Sequence, residues 1–447
     1  MIKQWLLLFV CVTFVGVTAA CSNDKESATG ATVGTGATGA TGESGAAANS
    51  PKDWGPASIS IVGLTGDGDE TADTAQEELS KRFPNYTFTF LDRIQPEKVK
   101  ERIAGGTQMD IVSTSIGEIL ATVINPDLQL DISELIKKHN IDLSRFDPAP
   151  LDAMKSMTGG KLYGLPRQNN LMVMFYNKDL FDKFGVPYPK DGMTWDDALA
   201  VAHKMTRTEG GQPYLGMSVA SGHLLQTNQF SLPMIDPKTN KSSAGDEGWK
   251  RIYQTFFIDP ASDPAYREWI LSNKNKLPGK NQFLKDKNTA MLLDNFTFHS
   301  QLESGDLNWD MVSLPTFKDR PGIGSQVCPK YLNITSTGKF KDQAMEVVAY
   351  LVSDEYQMKR SRLGDMTVLK NEAIQKALGS DTKFKGINLN ALNHNKVAPA
   401  SPKSLYDDIV LDEFQEVLTD VSIGKVDLNT ALRSVQEAAD KAIVANQ

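Results

Sequence analysis

Residues 159–197 read GGKLYGLPRQNNLMVMFYNKDLFDKFGVPYPKDGMTWDD. Gly159 and Gly160 supply a turn. Residues 162–165 extend, because Pro166 holds Leu165 out of the α region. Residues 171–176 are an unbroken apolar run, the pattern of a strand covered on both faces. Asn177 caps a short helix over 179–184, which Gly185 and Pro187 stop. Thr194 opens the next helix with Asp197 at the capping-box distance, Asp standing where Glu or Gln is usual. The order is a turn, a short strand, a Pro-fixed crossing, a buried strand and a helix. It holds no nucleophile motif and no metal cage.

Upstream, residues 58–63 place Ile59 and Ile61 on one face of a strand that enters the loop Thr65-Gly66-Asp67-Gly68-Asp69. A helix over 71–83 ends at Pro84, and residues 87–91 form a second strand with Phe88 and Phe90 on one face. Pro96 starts a helix to 104, and residues 109–113 form a third strand. This β-α-β-α-β order predicts a mostly parallel sheet with helices on both faces. Ligands of such sheets sit beyond the carboxyl ends of the strands. That rule puts Thr65 and Asp67, with Thr114 and Ser115, at one edge of a cleft.

Downstream, helices are expected over 194–208, 249–257 and 283–287, and strands over 214–219, 290–293, 311–314 and 331–335. The remainder is expected to be helical over 343–353, 354–363 and 405–421. In the last helix Leu428, Ala431, Leu432, Val435, Ala439, Ala442 and Ile443 form one apolar stripe.

A chain of 447 residues exceeds one compact domain and suits two large lobes. Its net charge of −8, without a long charge run, argues against nucleic acid or an anionic membrane surface as partner. Lys3 and the apolar residues 5–17 form a targeting segment too short to span a bilayer, and Thr18-Ala19-Ala20-Cys21 follows. The next stretch, to residue 55, is rich in Gly, Ala, Ser and Thr and reads as a flexible tether. Of three cysteines, Cys11 lies in the targeting segment and Cys21 at its end, which leaves Cys328 alone and no disulfide framework.

GKLYGLP at 160–166, YNKDLF at 176–181 and TWDD at 194–197 resemble, in that order, motifs of the family 1 extracellular solute-binding proteins, receptor subunits of ABC sugar importers. NTAMLLDNF at 288–296 is similar to that family's strand and cleft loop, and LPTFK at 314–318 to its L-P turn. Gly424-Lys425 with Asp427, Ala431 and Leu432 resembles its closing helix. The residues before Cys21 resemble a bacterial lipobox with Thr18 in place of the usual Leu.

The resemblance, over 57–447, implies a type II periplasmic-binding-protein fold with two α/β lobes and a ligand cleft between them. The first lobe is expected from 56–165 plus 329–353, and the second from 166–328 plus 354–447, with crossings near Pro166 and Cys328. It implies a lipoprotein signal peptide over 1–20, a lipid on Cys21, and a tether over 21–55. That arrangement implies a monomer on the outer face of a Gram-positive cell membrane, or on the periplasmic side of a Gram-negative one. The implied ligand is a carbohydrate, the implied partners are ABC permease subunits, and neither cofactor nor catalysis is implied.

A sugar receptor takes paired hydroxyls on amides, carboxylates and guanidinium groups, and the apolar side of a ring on an aromatic face. The candidates are Thr65, Asp67, Thr114, Ser115, Arg167, Gln168, Asn295, Phe296 and Tyr406. Phe296 stands close to where the family often has a stacking Trp. Each has a plainer use: Ser115 as a helix cap, Arg167 as partner of an acid across the hinge, Phe296 and Tyr406 as core.

Two other classes stay open. A calcium-dependent adhesin draws on Asp67, Asp69, Thr71, Asp73 and Glu78, which match the oxygen positions of a calcium loop, although Ala72 replaces its turn glycine. A polysaccharide-cleaving enzyme needs two facing carboxylates, which sequence alone does not pair. The five histidines lack ligand spacing, and neither G-x-S-x-G nor H-E-x-x-H occurs.

Overall fold

The computed structural model describes residues 54–64, 72–95, 98–303 and 305–446. The expected leader, the lipidation site Cys21, the tether up to residue 53, and the loop carrying Thr65 and Asp67 lie outside the described residues. Trp54, expected in the tether, instead stacks on His139 with ring centroids 5.0 Å apart, and its backbone O accepts from Gln343 Nε2 at 2.8 Å.

In chain order the strands are β1 (Ala57–Val62), β2 (Tyr86–Leu91), β3 (Ile111–Ser115), β4 (Gly164–Gln168), β5 (Met172–Asn177), β6 (Arg207–Glu209), β7 (Gln212–Val219), β8 (Ile235–Asp236), β9 (Lys241–Ser242), β10 (Thr289–Asn295), β11 (Trp309–Ser313) and β12 (Lys330–Ile334). A five-stranded sheet in the order β2-β1-β3-β12-β4 forms the first lobe. A second, in the order β11-β5-β10-β7-β6, forms the other, and β8 with β9 makes a short ribbon.

In the first sheet β1 pairs parallel with β2 and β3, as the β-α-β-α-β pattern predicts. β12 then enters between β3 and β4, antiparallel to both. The sheet is therefore mixed where the upstream pattern alone predicts a mostly parallel one. The reason is chain path: β12 returns from the second lobe, and no local pattern fixes its slot. Its register sets Lys330 opposite Ser115 on one side and Gln168 on the other, at one end of the sheet.

In the second sheet β5 lies between β10 and β11, antiparallel to both, and all its residues are buried. Its alternation splits the core. Met172, Met174 and Tyr176 join Trp195, Trp249 and Phe414 on one face, whereas Val173 and Phe175 join Phe296, Trp309 and Phe384 on the other. Asn177 caps helix Lys178–Phe184 by accepting from Asp179 N, and Gly185 closes it in the left-handed conformation. Thr194 and Asp197 form the reciprocal capping box of helix Trp195–Met205.

Two expected lobe boundaries move. β4 carries the first sheet through Gln168, past the boundary expected at 165. Helix Asp354–Arg362 and its continuation, expected in the second lobe, supply Tyr356, Val368, Leu369 and Ile374 to the first core. Phe384 and Leu392 are the next large residues in the second lobe's core. Physically, helix Asp354–Arg362 follows helix Lys341–Leu351 after a two-residue break and packs beside it, Tyr356 against Tyr350. The helix expected over 405–421 divides into Asp407–Glu416 and Leu418–Ser422. Among the described residues no helix is long and apolar enough to cross a membrane.

Candidate functional site

Chain crossings build the floor between the lobes. Cys328 N donates to Asn170 O at 2.8 Å, and Phe296 N donates to Leu171 O at 2.9 Å. Asn170 Nδ2 donates to Thr297 Oγ1 at 3.1 Å. On the first-lobe side Arg167 Nε donates to Ser113 Oγ at 3.0 Å, and Gln168 Nε2 to Asp365 Oδ1 at 2.7 Å. On the other side the Asn295 side chain hydrogen-bonds the Cys328 thiol. Asp294 Oδ1 lies 2.7 Å from His223 Nδ1 and accepts from Asn295 N at 2.7 Å. Gln168 Oε1 and Asn295 Oδ1 are buried with no hydrogen-bond partner among the described residues. Buried acceptors left unpaired are expensive.

A cavity of about 470 Å³ lies between residues of the two lobes, inside the range of small-molecule sites. Leu120, Ile124, Met157, Thr158 and Tyr163 line it from the first lobe. Ile235, Pro237 and Asn240 of the β8–β9 ribbon line it from the second, together with residues 402–406. Tyr163 and Tyr406, both half-buried, thus reach the same cavity from opposite lobes. Among the described residues Lys403 is its single charged lining residue, and its Nζ donates to Gln226 O at 3.1 Å.

The candidates separate into groups. Arg167, Gln168, Ser115 and Asn295 gather at the crossing, and Tyr406 lines the cavity. Thr114 turns instead toward Glu118 and Thr122, into a small first-lobe pocket that Val62, Arg93 and Ile94 also line. Arg167 donates to the Ser113 hydroxyl. Phe296 has no exposed surface and packs against His299 and Phe384, at centroid distances of 4.6 and 6.2 Å. A ring enclosed on all sides presents no face to a sugar, so its use here is the core one. Tyr163, His223 and Lys403 were not anticipated. Tyr163 lies inside the GKLYGLP motif and was within reach of motif reading, whereas nothing local in the sequence marks His223 or Lys403.

Burial sets the electrostatics. It pushes the Cys328 thiol above its usual value of 9.0, against the pull of Lys403, Lys330 and Asn295, so the sulfur stays protonated at neutral pH. Burial also pushes Asp407 up to about 6, with Lys403 opposing the shift. Asp408 is raised by burial and then by Asp412. Among the described residues no group of three or more His, Cys, Asp or Glu could hold a metal ion.

The profile described as bacterial extracellular solute-binding protein matches residues 65–358, more than half of the chain. The chain belongs to this family. The arabinooligosaccharide-binding protein of Bacillus subtilis is 35% identical over 109 residues, 24% of this chain and 24% of that protein. The chain therefore spans about a quarter of the length of that relative. The galactooligosaccharide-binding protein of the same bacterium is 23% identical over 360 residues, 75% of this chain and 77% of that protein. An ABC substrate-binding protein from Listeria monocytogenes, solved in complex with cycloalternan, superposes on 87% of this chain and 99% of its own. The TM-score is 0.68 and the identity 17%, a likeness of fold. This solute-binding protein has the two-lobed α/β architecture of the type II periplasmic binding proteins. Its cleft between the lobes is where a solute would be enclosed.

Proposed function

We propose that this solute-binding protein is the receptor of an ABC importer and captures an oligosaccharide between its lobes for delivery to permease subunits. No bond is made or broken. One observation carries the reading: a cavity between the lobes that receives a tyrosine from each of them. Tyrosines suit the apolar faces of sugar rings, and the Asn240 amide that lines the same cavity suits hydroxyls. A ligand touched from both sides favours the closed arrangement, because that state alone offers all the contacts. The ligands named for the two Bacillus relatives, and the cycloalternan of the Listeria complex, support a carbohydrate. The protein works as a monomer without a cofactor. A signal peptide over 1–20, a lipid on Cys21 and a tether over 21–53 would hold it at the outer membrane face and raise its effective concentration near the permease.

Thermal unfolding against arabino-, galacto- and uronic-acid oligosaccharides tests this. A ligand at about a hundred times its Kd adds about 2.7 kcal/mol, and the sugar is expected back intact. Sugar consumed during the assay would establish an enzyme. A panel in which no sugar shifts the melting point would remove the carbohydrate reading.

A further inference from the structure

We propose that Lys403 is a ligand-binding donor whose charge Asp407 cancels, and that this pair makes the cleft prefer a neutral sugar to its carboxylated counterpart. The inference rests on the carbohydrate reading above and adds the charge class of the ligand.

Among the described residues Lys403 is the single charged one lining the cavity. Its ammonium carries three N–H donors, and Gln226 O takes one at 3.1 Å. Asp407 Oδ2 stands 4.0 Å from Nζ, close enough for charge attraction but too far for a hydrogen bond. Both side chains are about nine-tenths buried. Asp407 Oδ1 accepts from Ser404 N at 3.2 Å, and Oδ2 has no hydrogen-bond partner among the described residues. Lys403 thus keeps donor capacity beside the cavity while its charge is balanced from behind.

The balance decides selectivity. An uncompensated buried ammonium would draw a carboxylate strongly. Here a ligand carboxylate would meet Asp407 and, next along the helix, Asp408, whose charge acts on both Asp407 and Lys403. A neutral hydroxyl can accept from Lys403 without that repulsion. The His223 ring faces Asp294, with Nδ1 2.7 Å from Oδ1. Discrimination of this kind comes from a repulsive element placed against the wrong ligand. Asp407 acts through Lys403 and is a positioning residue.

The test is calorimetric titration at pH 7.5 with whichever arabino- or galacto-oligosaccharide binds, and with the same sugar oxidised to a carboxylate at the exocyclic carbon of its non-reducing end, C5 of arabinofuranose or C6 of galactose. The wild-type chain is expected to hold the neutral form at least about tenfold tighter. Lys403→Met is expected to weaken the neutral form about tenfold or more, the size of losing a charge-assisted hydrogen bond. Asp407→Asn is expected to narrow or reverse the neutral-to-carboxylated ratio, which a merely structural role would not move. Asp408→Asn, on the exposed side of the helix, is expected to shift the ratio the same way by less, and serves if Asp407→Asn does not fold. An unchanged ratio in the Asp variants, or a wild-type chain that prefers the carboxylated sugar, overturns the pair while leaving the carbohydrate reading intact. A wild-type chain that binds no sugar overturns both.

Discussion

Gly117 of the first lobe and Gln226 of the second face each other across the lobe boundary: a Cβ on Gly117 would stand 3.2 Å from Gln226 Oε1. The near atom is the end of a flexible side chain, so an alanine could be accommodated by a small movement of the amide. A branched side chain could not, and would hold the lobes apart. Gly117→Leu is expected to raise the apparent Kd about tenfold or more, because only the closed fraction binds fully. The melting temperature without ligand should stay near wild type. Titration calorimetry with small-angle scattering of the liganded protein checks both. Wild-type affinity in this variant would mean that the lobes need not approach at this point.

A second glycine tests packing within one lobe. Gly216 of β7 lies under helix Trp195–Met205, and a Cβ there would sit 1.9 Å from Ala202 O. The clashing atom is backbone, so the helix itself must move. Gly216→Ala is expected to cost about 3 kcal/mol or more, measured by denaturant unfolding. A loss under about 1 kcal/mol would show that the helix rides freely on the sheet.

Such contacts mark the limit of what the sequence could disclose. Local chemistry was readable because its partners are near in sequence. Asn177 caps its helix two residues on, Asp197 answers Thr194 three residues on, and β5 announces its burial by an apolar run. The slot of β12 was not readable, since Lys330 meets Ser115 and Gln168 across more than a hundred residues of intervening chain. Nor was the lobe of helix Asp354–Arg362, whose Tyr356 and Gln357 look no different for packing on one core or the other. Asn295 was marked by its motif and does reach the floor. Its neighbour Phe296 follows the same strand end, yet one step along the chain turned its ring into the core. Lys403 acquires its meaning only from Gln226 and Asp407, which a fold must bring together.

His203 offers a pH test away from the cleft. Its Nδ1 lies 2.7 Å from Asp263 Oδ2 and its Nε2 2.8 Å from Asp259 Oδ1. Both nitrogens can donate at once only in the imidazolium. Burial pulls its pKa down, but hydrogen bonds and charge from Asp263, then Asp259, outweigh this and hold it above 6.5. A raised folded value means that the stabilisation is full below the unfolded pKa and is lost as pH rises through the folded one. The side chain is about a third exposed, and solvent screening limits the effect to about 1 kcal/mol. His203→Gln is therefore expected to be less stable than wild type at pH 6 and to match it at pH 9. Urea unfolding across that range checks it. A difference independent of pH would mean that the imidazole stabilises by packing alone.

Asp407 should show the same linkage in a different window. Burial raises its carboxyl from 3.8 to about 6, with Lys403 opposing. Stability from this group is therefore full below about pH 4 and declines as pH rises toward 6. Keeping the carboxylate ionised at neutral pH corresponds to as much as about 3 kcal/mol, a figure that the neutral isostere should recover. Asp407→Asn is expected to match wild type near pH 4 and to exceed its stability by about 1–3 kcal/mol at pH 8. That gain would accompany the loss of charge selectivity at Lys403. An asparagine variant less stable than wild type at pH 8 would mean that the 4.0 Å pair is a net stabilising ion pair. The carboxylate would then be held there by the fold, whatever the ligand.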